Sequence, residues 1–456
     1  MTEGGRAARL FGTDGIRGVA NRDLTPELLL QVGRALVATL GGDGVYLIGR
    51  DTRLSGPMLE AAIAAGICAG GGHVERVGIL PTPALAFLTR RLGRPGGIVL
   101  SASHNPIEDN GVKLFGPDGF KFPDDVEDRI EAALGTNGPH PAGAEVGGVR
   151  DLPQAEDLYL DYLLGLSLRP QPRLRVVVDC AFGAAYRIAP RLWQARGAEV
   201  IALHAEADGA RINVGCGSTH PAQLQQAVVA ADAQVGFAHD GDADRVIAVD
   251  ERGGIVDGDV IMAICARYLA ARSALPGGVV VATVMSNMGL ERVLADAGIR
   301  LERTRVGDRY VLERMQQLGA TLGGEQSGHL IFLDRATTGD GLVTALHLAH
   351  IMRETEQPLS QLGAGFHRFP QVLRNVRVAD RGAWEEDAEV QAAINAAEER
   401  LRRRGRILVR ASGTEPLVRV MVEAEEAEEA DGVARTVAEV ITRRHGGPVA
   451  GESRAG

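Results

Sequence analysis

Short apolar runs alternate with helical patterns along almost the whole chain, and this alternation restricts the fold more than any other feature. The runs at 45–48 and 98–100 have the composition of buried strands. An apolar-periodic segment from Pro26 to about Leu40, with Thr25 as candidate N-cap, predicts a helix before them. Such alternation is typical of parallel strands joined by crossover helices. We therefore expect an α/β fold with its chemistry at the carboxyl ends of strands.

The length of 456 residues predicts three or four domains, at roughly 150 residues each. Three successive segments show similar strand and helix alternation, and a fourth reads as a smaller C-terminal α+β domain. The expected divisions are an α/β domain with a serine loop at 1–150, an α/β domain with an acidic loop at 151–255, an α/β domain with a polar sugar-type loop at 256–368, an α+β phosphate-binding domain at 369–445 and a disordered tail at 446–456.

Composition excludes several classes of function. A net charge of −10 and an aromatic content of 4% argue against nucleic acid as a partner, since nucleic-acid sites need basic surfaces and stacking platforms. The sequence has no N-terminal apolar h-region and no run of 18 apolar residues, so we expect a cytoplasmic protein without membrane association. The four cysteines are scattered, which favours reduced thiols over a disulfide framework or zinc site.

A polar loop follows the apolar run at Gly97–Leu100 and ends at Pro106. Proline disfavours α geometry in the residue before it, so the chain turns here. Ser103 and His104 are thereby expected at the carboxyl end of a buried strand. The alternative is a Ser/Asn turn without chemistry. We do not expect a hydrolase dyad, because neighbouring side chains on extended backbone point to opposite faces.

Three carboxylates occupy alternate positions in the stretch DGDADR, at Asp240, Asp242 and Asp244. Small residues separate them, so they can converge on one hard cation, and three acidic oxygens suit Mg²⁺. A calcium loop is excluded because Arg245 stands where its sharp turn needs glycine. A solvated acidic turn is the alternative. A cation beside the carboxylates favours a site that also holds phosphate.

Two further positions offer positive charge. Arg17 lies in the glycine-rich stretch LFGTDGIRGVAN at 10–21, where its guanidinium and the backbone amides can meet an anion. Lys113 follows a turn and is expected near the edge of the sheet that carries Ser103. A solvated arginine and a surface lysine are the alternatives.

Two later loops carry polar groups. In GEQSGH at 324–329, Glu325 and Ser327 suit sugar hydroxyl or amino groups, and His329 can titrate near neutral pH. A satisfied loop histidine is the alternative. The stretch RASGTEP predicts a phosphate nest, with an ordinary hairpin turn as the alternative. Its candidate ligands are Arg410, Ser412, Gly413, Thr414 and the nearby Arg419.

Together these loops offer a hydroxyl nucleophile, a divalent-cation site, sugar-type contacts and a separate phosphate nest. A metal beside a serine suits phosphoryl transfer through a phosphoserine. A second phosphate site indicates a substrate with a phosphate at its far end. The combination favours an enzyme that moves phosphate between two positions of one small sugar or polyol.

The stretches LFGTDGIRG, SASHNP, DGDADR, GEQSGH and RASGTEPLVRVMVE follow one another over nearly the whole chain, and in this the sequence resembles the α-D-phosphohexomutase superfamily. The resemblance implies four domains in a heart-shaped arrangement around a central cleft. It implies one Mg²⁺ per subunit, a phosphorylated serine and a hexose 1,6-bisphosphate as intermediate and activator. It also implies interconversion of glucosamine 6-phosphate and glucosamine 1-phosphate, on the route to UDP-N-acetylglucosamine and cell-wall precursors.

The resemblance assigns roles to the candidate residues. Ser103 is implied to be the phosphoserine, and one of its oxygens to hold Mg²⁺ with the three aspartates. A hinge near 361–370 is expected to move the last domain. The other implied assignments are Arg17, Lys113 and Arg245 to the transferring phosphoryl group, Lys113 and His329 to base and acid catalysis, His104, Glu325 and Ser327 to the sugar, and Arg410, Ser412, Gly413, Thr414 and Arg419 to the non-reacting phosphate.

Two positions depart from the family pattern. Ala243 stands in the acidic loop where many relatives have glycine, which is tolerated unless φ is positive there, and Phe182 stands where asparagine is expected. A phosphoglucomutase or phosphomannomutase is an alternative within the superfamily. A non-catalytic phosphosugar-binding relative and a phosphatase are alternatives outside the mutase reaction. A homodimer, and a kinase or autophosphorylation as the source of phosphate on Ser103, are further expectations.

Overall fold

A computed structural model describes the chain over residues 9–136, 141–166, 168, 171–412 and 416–446. All four cysteines lie in these ranges and carry free thiols. Within the same ranges, none of the helices has the length and apolar composition needed to span a bilayer. Three short 3₁₀ turns lie at Gly143–Glu145, Pro276–Gly278 and Arg402–Arg404.

The chain divides into two compact units, which we describe separately. One unit contains residues 1–283 and 299–364, and the other contains residues 284–298 and 365–456. Within the described parts of the chain, three sheets belong to the first unit and one sheet to the second.

The first sheet has six strands, and four helices lie in the same part of the chain. The strands are Ile16–Val19 (β1), Val45–Arg50 (β2), His73–Ile79 (β3), Gly97–Leu100 (β4), Asp109–Phe115 (β5) and Val149–Asp151 (β6). The helices are Pro26–Leu40 (α1), Gly56–Ala69 (α2), Thr82–Arg91 (α3) and Asp124–Ala132 (α4). The strand order is β1-β5-β4-β2-β3-β6, with β2 parallel to β3 and β4. The loop that contains Ser103 joins β4 to its antiparallel neighbour β5.

The predicted first helix is confirmed at both ends. Helix α1 runs from Pro26 to Leu40, and the side chain of Thr25 accepts a hydrogen bond from the amide of Leu28. Threonine at this position satisfies one of the amides that a helix leaves unpaired at its start, and proline fits the first helical turn. Parallel pairing of β2 with β3 and β4 is also as predicted.

The second sheet carries the acidic loop. Its strands are Arg175–Asp179 (β7), Glu199–Leu203 (β8), Val235–His239 (β9), Val246–Asp250 (β10) and Ile255–Val256 (β11), in the order β11-β10-β9-β7-β8. Its helices are Ala155–Gly165 (α5), Ile188–Ala195 (α6) and Ala222–Ala230 (α7). Strands β9 and β10 form an antiparallel hairpin, and the loop at its tip contains the three aspartates.

The third sheet carries the GEQSGH loop. Its strands are Val279–Thr283 (β12), Arg300–Thr304 (β13), Leu322–Gly324 (β14) and Leu330–Phe332 (β15), in the order β13-β12-β14-β15. Four helices belong to the same unit: Gly258–Ala271 (α8), Asp308–Leu318 (α10), Gly341–Thr355 (α11) and Leu359–Gly363 (α12), and Met288–Asp296 (α9) belongs to the second unit. The GEQSGH loop closes the hairpin between β14 and β15.

A three-stranded antiparallel sheet and two helices form most of the second unit. The strands are Gln371–Arg377 (β16), Gly405–Ala411 (β17) and Leu417–Ala424 (β18), and the helices are Ala388–Leu401 (α13) and Ala427–His445 (α14). Helix α9 belongs to this unit because a buried carboxylate, Glu423, accepts hydrogen bonds from the amide of Met288 and from Arg406. Arg406 also donates to the carbonyl of Ser286. The predicted α+β character of the last segment is confirmed.

Candidate active site

Ser103 is buried, with 1% of its surface exposed, and lies in the loop between β4 and β5. Its φ is +52°, a left-handed conformation that costs an L residue about 1–2 kcal/mol. Oγ of Ser103 donates a hydrogen bond of 2.5 Å to Oδ2 of Asp240. The structure therefore brings the predicted nucleophile and the predicted metal loop together.

The expectation that Ser103 and His104 point to opposite faces is wrong. It assumed an extended backbone, whereas the left-handed φ of Ser103 turns both side chains to one side, with Nδ1 of His104 3.3 Å from Oγ of Ser103. Burial, followed by the charges of Arg245 and Arg17, lowers the pKa of His104 to about 4. His104 is therefore neutral at pH 7, and its ring offers hydrogen bonds rather than charge to whatever binds beside the serine.

The three aspartates converge as the sequence predicts. One ligand oxygen from each of Asp240, Asp242 and Asp244 lies within 4.8 Å of those from the other two. Among the described residues, Oδ1 of Asp242 and Oδ1 of Asp244 are buried and accept no hydrogen bond. Buried carboxylate oxygens without partners are costly. Their convergence fits a hard divalent cation, which takes oxygen ligands of this kind.

Repulsion among the carboxylates of the acidic loop also supports the interpretation that they bind a divalent cation. Burial, and then the charges of Asp244 and Asp242, raise the pKa of Asp240 well above its ordinary value. For Asp244, burial opposes ionisation, but Lys113 and His329 outweigh it and hold the pKa well below the ordinary value. A divalent cation among the three side chains would offset the repulsion that contributes to the raised pKa of Asp240.

Lys113 is held among carboxylates rather than at the surface. It lies on β5 with 1% of its side chain exposed, and Nζ donates to Asp242 at 2.8 Å and to Asp244 at 3.1 Å. Burial opposes its charge, but Asp14 and these two carboxylates raise the pKa of Lys113 well above its ordinary value. The side chain therefore carries its proton and neutralises part of the acidic loop.

Arg17 and Arg245 approach the same loops. Arg17 donates to Oδ1 of Asn105 at 3.1 Å and to Asp14, so its guanidinium lies beside the serine loop. Nε of Arg245 lies 3.8 Å from Oδ1 of Asp244. In both arginines Nε is buried and has no hydrogen-bond partner among the described residues. Two guanidinium groups with unused donors beside a serine and three carboxylates suit an anion that binds between them.

A pocket of about 400 Å³ opens beside these residues. Glu325 and His329 of the GEQSGH loop line it, as do Arg17, Asp244 and Arg245. Its remaining walls come from the glycine-rich stretch and from the start of α10; the residues are Arg9, Leu10, Gly12, Thr13, Asp14, Gly15, Val306, Gly307 and Asp308. The structure therefore gathers three of the predicted stretches around one pocket, namely the glycine-rich stretch, the acidic loop and the GEQSGH loop.

Within the GEQSGH loop, Glu325 accepts from the amide of Gly307 at 3.2 Å and from the hydroxyl of Ser327 at 3.3 Å. The ring of His329 is buried, and its Nε2 accepts from the amide of Gly339 at 3.1 Å. Nδ1 of His329 faces Asp244 at 3.6 Å. Acceptance at Nε2 fixes the neutral ring with its proton on Nδ1, directed toward the acidic loop.

The predicted phosphate nest lies in the second unit. Arg410 on β17 and Arg419 on β18 stand directly opposite each other in the register of the sheet. Burial, and then Arg419, lower the pKa of Arg410. Like charges opposed across two strands destabilise a sheet, so this pair suits an anion. The amide of Ser412 donates to the carbonyl of Leu417 at 2.8 Å, and the predicted ligands Gly413 and Thr414 lie outside the described residues.

Sequence reasoning did not identify several residues that hold the site together. Asp14 accepts from Arg17 and Lys121, and Lys121 also donates to Asp308 at 2.5 Å. Thr82 donates to Asp242 at 2.5 Å across 160 residues of sequence. Two of these residues carried a signal in the sequence. Asp14 lies in the glycine-rich stretch that already contains Arg17, and Asp308 follows the end of an apolar strand, where site residues are expected.

A second cluster with metal-ligating residue types contains Asp179, His204 and Cys216. The hydrogen bonds of this cluster indicate a structural role, in which Asp179 connects neighbouring loops. Asp179 accepts from Nδ1 of His204 at 2.9 Å and from the amides of Ala181 and Gly217, both also at 2.9 Å. Burial, and then Asp179, raise the pKa of the Cys216 thiol to about 12, so in the absence of a cation this sulfur is a neutral thiol at pH 7.

A buried serine, three carboxylates and guanidinium donors without partners among the described residues, on an α/β scaffold, are the groups that phosphoryl transfer uses. Comparison with known families agrees with this class. Four models of the phosphoglucomutase/phosphomannomutase family match consecutive segments, namely the alpha/beta/alpha domains I, II and III at 8–139, 157–254 and 257–369 and the C-terminal domain at 373–440. The chain belongs to the phosphoglucomutase/phosphomannomutase family.

Curated relatives are similar over almost their full length. A phosphoglucosamine mutase of Moorella thermoacetica is 54% identical over 431 residues, which cover 93% of this chain and 97% of that protein. A phosphoglucosamine mutase of Frankia alni is 53% identical over 443 residues, which cover 94% of this chain and 96% of that protein.

Solved structures share the fold. A phosphoglucomutase/phosphomannomutase family protein of Burkholderia thailandensis matches with a TM-score of 0.78 and 27% identity, over 95% of this chain and 97% of that chain. An N-acetylphosphoglucosamine mutase of Aspergillus fumigatus, solved with GlcNAc-6P and magnesium, matches with a TM-score of 0.68 and 19% identity, over 96% of each chain. The second likeness concerns the fold alone.

Proposed function

We propose that this chain interconverts glucosamine 6-phosphate and glucosamine 1-phosphate through a phosphorylated Ser103. The observation that carries the proposal is the 2.5 Å contact between Oγ of Ser103 and Asp240, beside two buried carboxylate oxygens without partners. The curated relatives at 54% and 53% identity are phosphoglucosamine mutases. The product feeds the synthesis of UDP-N-acetylglucosamine and cell-wall precursors.

The reaction consists of two phosphoryl transfers that mirror each other. A hydroxyl oxygen of the bound sugar phosphate attacks the phosphorus of phosphorylated Ser103, the bond from phosphorus to Oγ breaks, and the hydroxyl proton passes to a base. The resulting 1,6-bisphosphate then reorients in the pocket, so that its other phosphate faces Ser103. Oγ of Ser103 then attacks the other phosphorus, and the sugar oxygen that leaves takes back a proton. Phosphate is neither gained nor lost over the cycle.

Asp240, Asp242 and Asp244, together with a phosphoserine oxygen, are the residues that would hold Mg²⁺. The cation, when bound, would neutralise charge on the transferring phosphoryl group. The convergence of the three side chains and the unpartnered oxygens of Asp242 and Asp244 support this assignment. Lys113 then balances the charge that the three carboxylates leave in excess.

The remaining side chains around the pocket are proposed to bind the phosphoryl group and to transfer protons. Arg17 and Arg245 direct their free Nε donors to the phosphoryl oxygens. The raised pKa of Lys113 keeps it a cation beside the carboxylates, and it remains one of the two residues proposed for proton transfer. His329 carries its proton on Nδ1, beside Asp244, and serves as the second proton-transfer group. His104 offers a neutral ring beside the serine.

Substrate recognition involves two separate regions of the chain. Glu325 and Ser327 offer acceptors to the hydroxyl and amino groups of the sugar, and the carboxylate of Glu325 suits the ammonium group of glucosamine. The arginine pair of the second unit, Arg410 and Arg419, with Ser412, Gly413 and Thr414, binds the phosphate that does not react. Charge-assisted hydrogen bonds from arginine suit a phosphate at this position.

Five further points of the proposal concern the protein as a whole. The domain divisions at 150, 255 and 368 and a hinge near 361–370 stay predictions. A homodimer, and first phosphorylation of Ser103 by a kinase or by autophosphorylation, are part of the proposal. A hexose 1,6-bisphosphate serves as activator because it rephosphorylates Ser103 when the serine loses its phosphate.

The deciding experiment compares kcat/KM for glucosamine 6-phosphate and glucose 6-phosphate, with Ser103-phosphorylated enzyme, Mg²⁺ and a trace of hexose 1,6-bisphosphate. We expect a strong preference for the amino sugar. Equal or reversed preference would assign the chain to the phosphoglucomutases or phosphomannomutases. Release of free phosphate would indicate a phosphatase, and turnover of neither sugar by intact phosphoenzyme would indicate a binding protein.

A further inference from the structure

Arg53 is an arginine without solvent exposure whose guanidinium donates to the serine loop, to the start of β5 and to Asp51 in its own turn. It follows β2 in sequence, and sequence reasoning assigned it no role. Its Nη1 and Nη2 atoms each donate to two backbone carbonyls. The four acceptors are the carbonyls of Ser103 at 3.0 Å, Asn105 at 2.8 Å, Asp109 at 2.8 Å and Pro106.

The fifth donor of Arg53 closes a ring of hydrogen bonds that returns to the serine. Nε donates to Oδ2 of Asp51 at 3.0 Å, and the hydroxyl of Ser101 donates to the same oxygen at 2.6 Å. Oγ of Ser101 in turn accepts from the amide of Ser103 at 2.9 Å. All five guanidinium donors are therefore used, and Ser103 is held through its amide and its carbonyl by one connected network.

The network acts on a residue whose conformation needs support. Ser103 has a left-handed φ, and such a conformation persists where the surroundings over-determine it. The carbonyl of Ser103 accepts a second hydrogen bond from the side-chain amide of Asn213 at 2.9 Å. A Cβ added at Gly241 would lie 2.5 Å from the same oxygen. Backbone rotation at Ser103 is therefore opposed from both sides, while Oγ is left free to face Asp240.

We propose that Arg53 is a positioning residue for phosphoryl transfer, which fixes the direction in which Oγ of Ser103 leaves the loop. The inference rests on the proposed function, since it concerns the phosphate carried by Ser103. Transfer in both half-reactions requires that phosphorus, Oγ and the sugar oxygen stay close to one line. A guanidinium that clamps four carbonyls holds this line in a way that a single ammonium cannot, because only the planar fork reaches all four acceptors.

The test compares Arg53→Lys with Arg196→Lys. Arg196 is a matched control: it is also buried and also clamps backbone carbonyls, those of Leu163 at 2.6 Å and Leu168 at 2.9 Å, in a part of the first unit that carries none of the candidate site residues. Both variants keep the positive charge. The measurements are kcat, KM, the melting temperature and the single-turnover rate of transfer from hexose 1,6-bisphosphate to dephosphorylated Ser103.

We expect Arg53→Lys to lower kcat and the transfer rate by about 100-fold, since misplacement of reacting groups by about 1 Å has an effect of that size. KM should stay within about threefold of the wild type, because the sugar contacts are intact. Arg196→Lys should lower the melting temperature and leave the transfer rate per folded enzyme unchanged. Equal transfer rates in the two variants would overturn the inference.

A second measurement covers the case in which Arg53→Lys folds poorly. Millimolar guanidinium should increase the transfer rate of Arg53→Ala by about tenfold or more by refilling the clamp, and should leave the wild type unchanged. Absence of rescue in folded Arg53→Ala would overturn the inference. Ser103→Ala, assayed in parallel, separates the two proposals: turnover by this variant contradicts the phosphoserine route itself, whatever Arg53 does.

Discussion

Oγ of Ser103 donates a 2.5 Å hydrogen bond to Asp240, and the two residues are 137 positions apart in the sequence. The contact places the only hydroxyl that we assign as nucleophile against the proposed cation site. We expect Ser103→Ala to lower kcat by about 10⁴-fold or more, because removal of a nucleophile eliminates the covalent route. Intact-protein mass should show no phosphorylation of the variant. The exposed Ser273 supplies a control, since Ser273→Ala should behave as wild type.

The second prediction concerns the cation. Oδ1 of Asp242 is buried without a hydrogen-bond partner, and we expect Asp242→Asn to weaken Mg²⁺ binding by at least about tenfold, as loss of groups around a metal does. Mg²⁺ stabilises a protein that binds it in the folded state, in proportion to the logarithm of its concentration over Kd. The measurement is therefore the rise in melting temperature with Mg²⁺ concentration.

A matched carboxylate serves as the control for this measurement. Asp250, at the other end of β10, accepts from the amides of Arg252 and Gly254, and Asp250→Asn should show the same response to Mg²⁺ as the wild type. An unchanged response in Asp242→Asn would contradict the cation assignment. EDTA should abolish mutase activity of the wild type, and added Mg²⁺ should restore it.

The arginine pair of the second unit gives a prediction in which affinity and stability change in opposite directions. Arg410→Gln should raise KM by about 10- to 100-fold, the value of one charge-assisted hydrogen bond to phosphate. It should also raise the free energy of unfolding by up to about 1 kcal/mol, since Arg419 then loses a like charge directly opposite it. Kinetics and urea unfolding measure the two effects.

Arg406, on the same strand, provides the contrast. It donates to the buried carboxylate of Glu423 at 2.7 Å, so Arg406→Gln should lower the free energy of unfolding, because it leaves that charge without its partner. If Arg410→Gln lowered stability in the same way and left KM unchanged, Arg410 would be a structural residue and not a phosphate ligand.

The sequence predicted those elements and loops that are determined by neighbouring residues. Helix α1 begins and ends where its proline, cap and apolar period place it. Motif loops were expected at strand ends. In the first unit the acidic loop and the GEQSGH loop line one pocket, and the serine loop contacts the acidic loop through Ser103 and Asp240. These features depend on periodicity and on turn residues, which a single sequence records.

Features that depend on contacts between distant residues were not predicted. The left-handed φ of Ser103 is maintained by Arg53 and Asn213, and without it the relation of Ser103 to His104 was wrongly expected to follow strand geometry. Asp14 and Lys121 meet across 107 positions. No local pattern marks such pairs, because they arise only when segments far apart in the sequence pack together.

The next prediction concerns pH. Asp340 caps α11 through the amides of Leu342 and Val343 and accepts from the hydroxyl of Tyr159. Burial is the main cause that raises its pKa from 3.8 to about 6. The folded protein thus holds this proton to higher pH than the unfolded chain. The stabilisation is fully present below pH 3.8 and is lost as the pH rises through about 6, by up to about 3 kcal/mol.

Asp340→Asn tests this linkage, because asparagine also caps helices and does not titrate. The difference in free energy of unfolding between variant and wild type, measured by urea unfolding from pH 4 to pH 7, should shift in favour of the variant as the pH rises. Other titrating groups are common to both proteins and cancel in the difference. A difference that stays constant over this range would contradict the raised pKa of Asp340.

The departures at Ala243 and Phe182 give the last prediction, since both have positive φ, +56° and +52°. The positive φ of Ala243 is the condition under which alanine is less favourable than glycine.

Phe182 is buried, and its ring centroid lies 4.8 Å from that of His204 and 4.1 Å from the guanidinium of Arg211. Asparagine tolerates this backbone conformation better by about 1 kcal/mol, but burial of a phenylalanine ring contributes about 1.5–3 kcal/mol. Phe182→Asn should therefore lower the free energy of unfolding by about 1–2 kcal/mol, whereas Ala243→Gly should change it by less than about 1 kcal/mol. Urea unfolding distinguishes the two, and a more stable Phe182→Asn would show that backbone strain at this loop outweighs the packing of the ring.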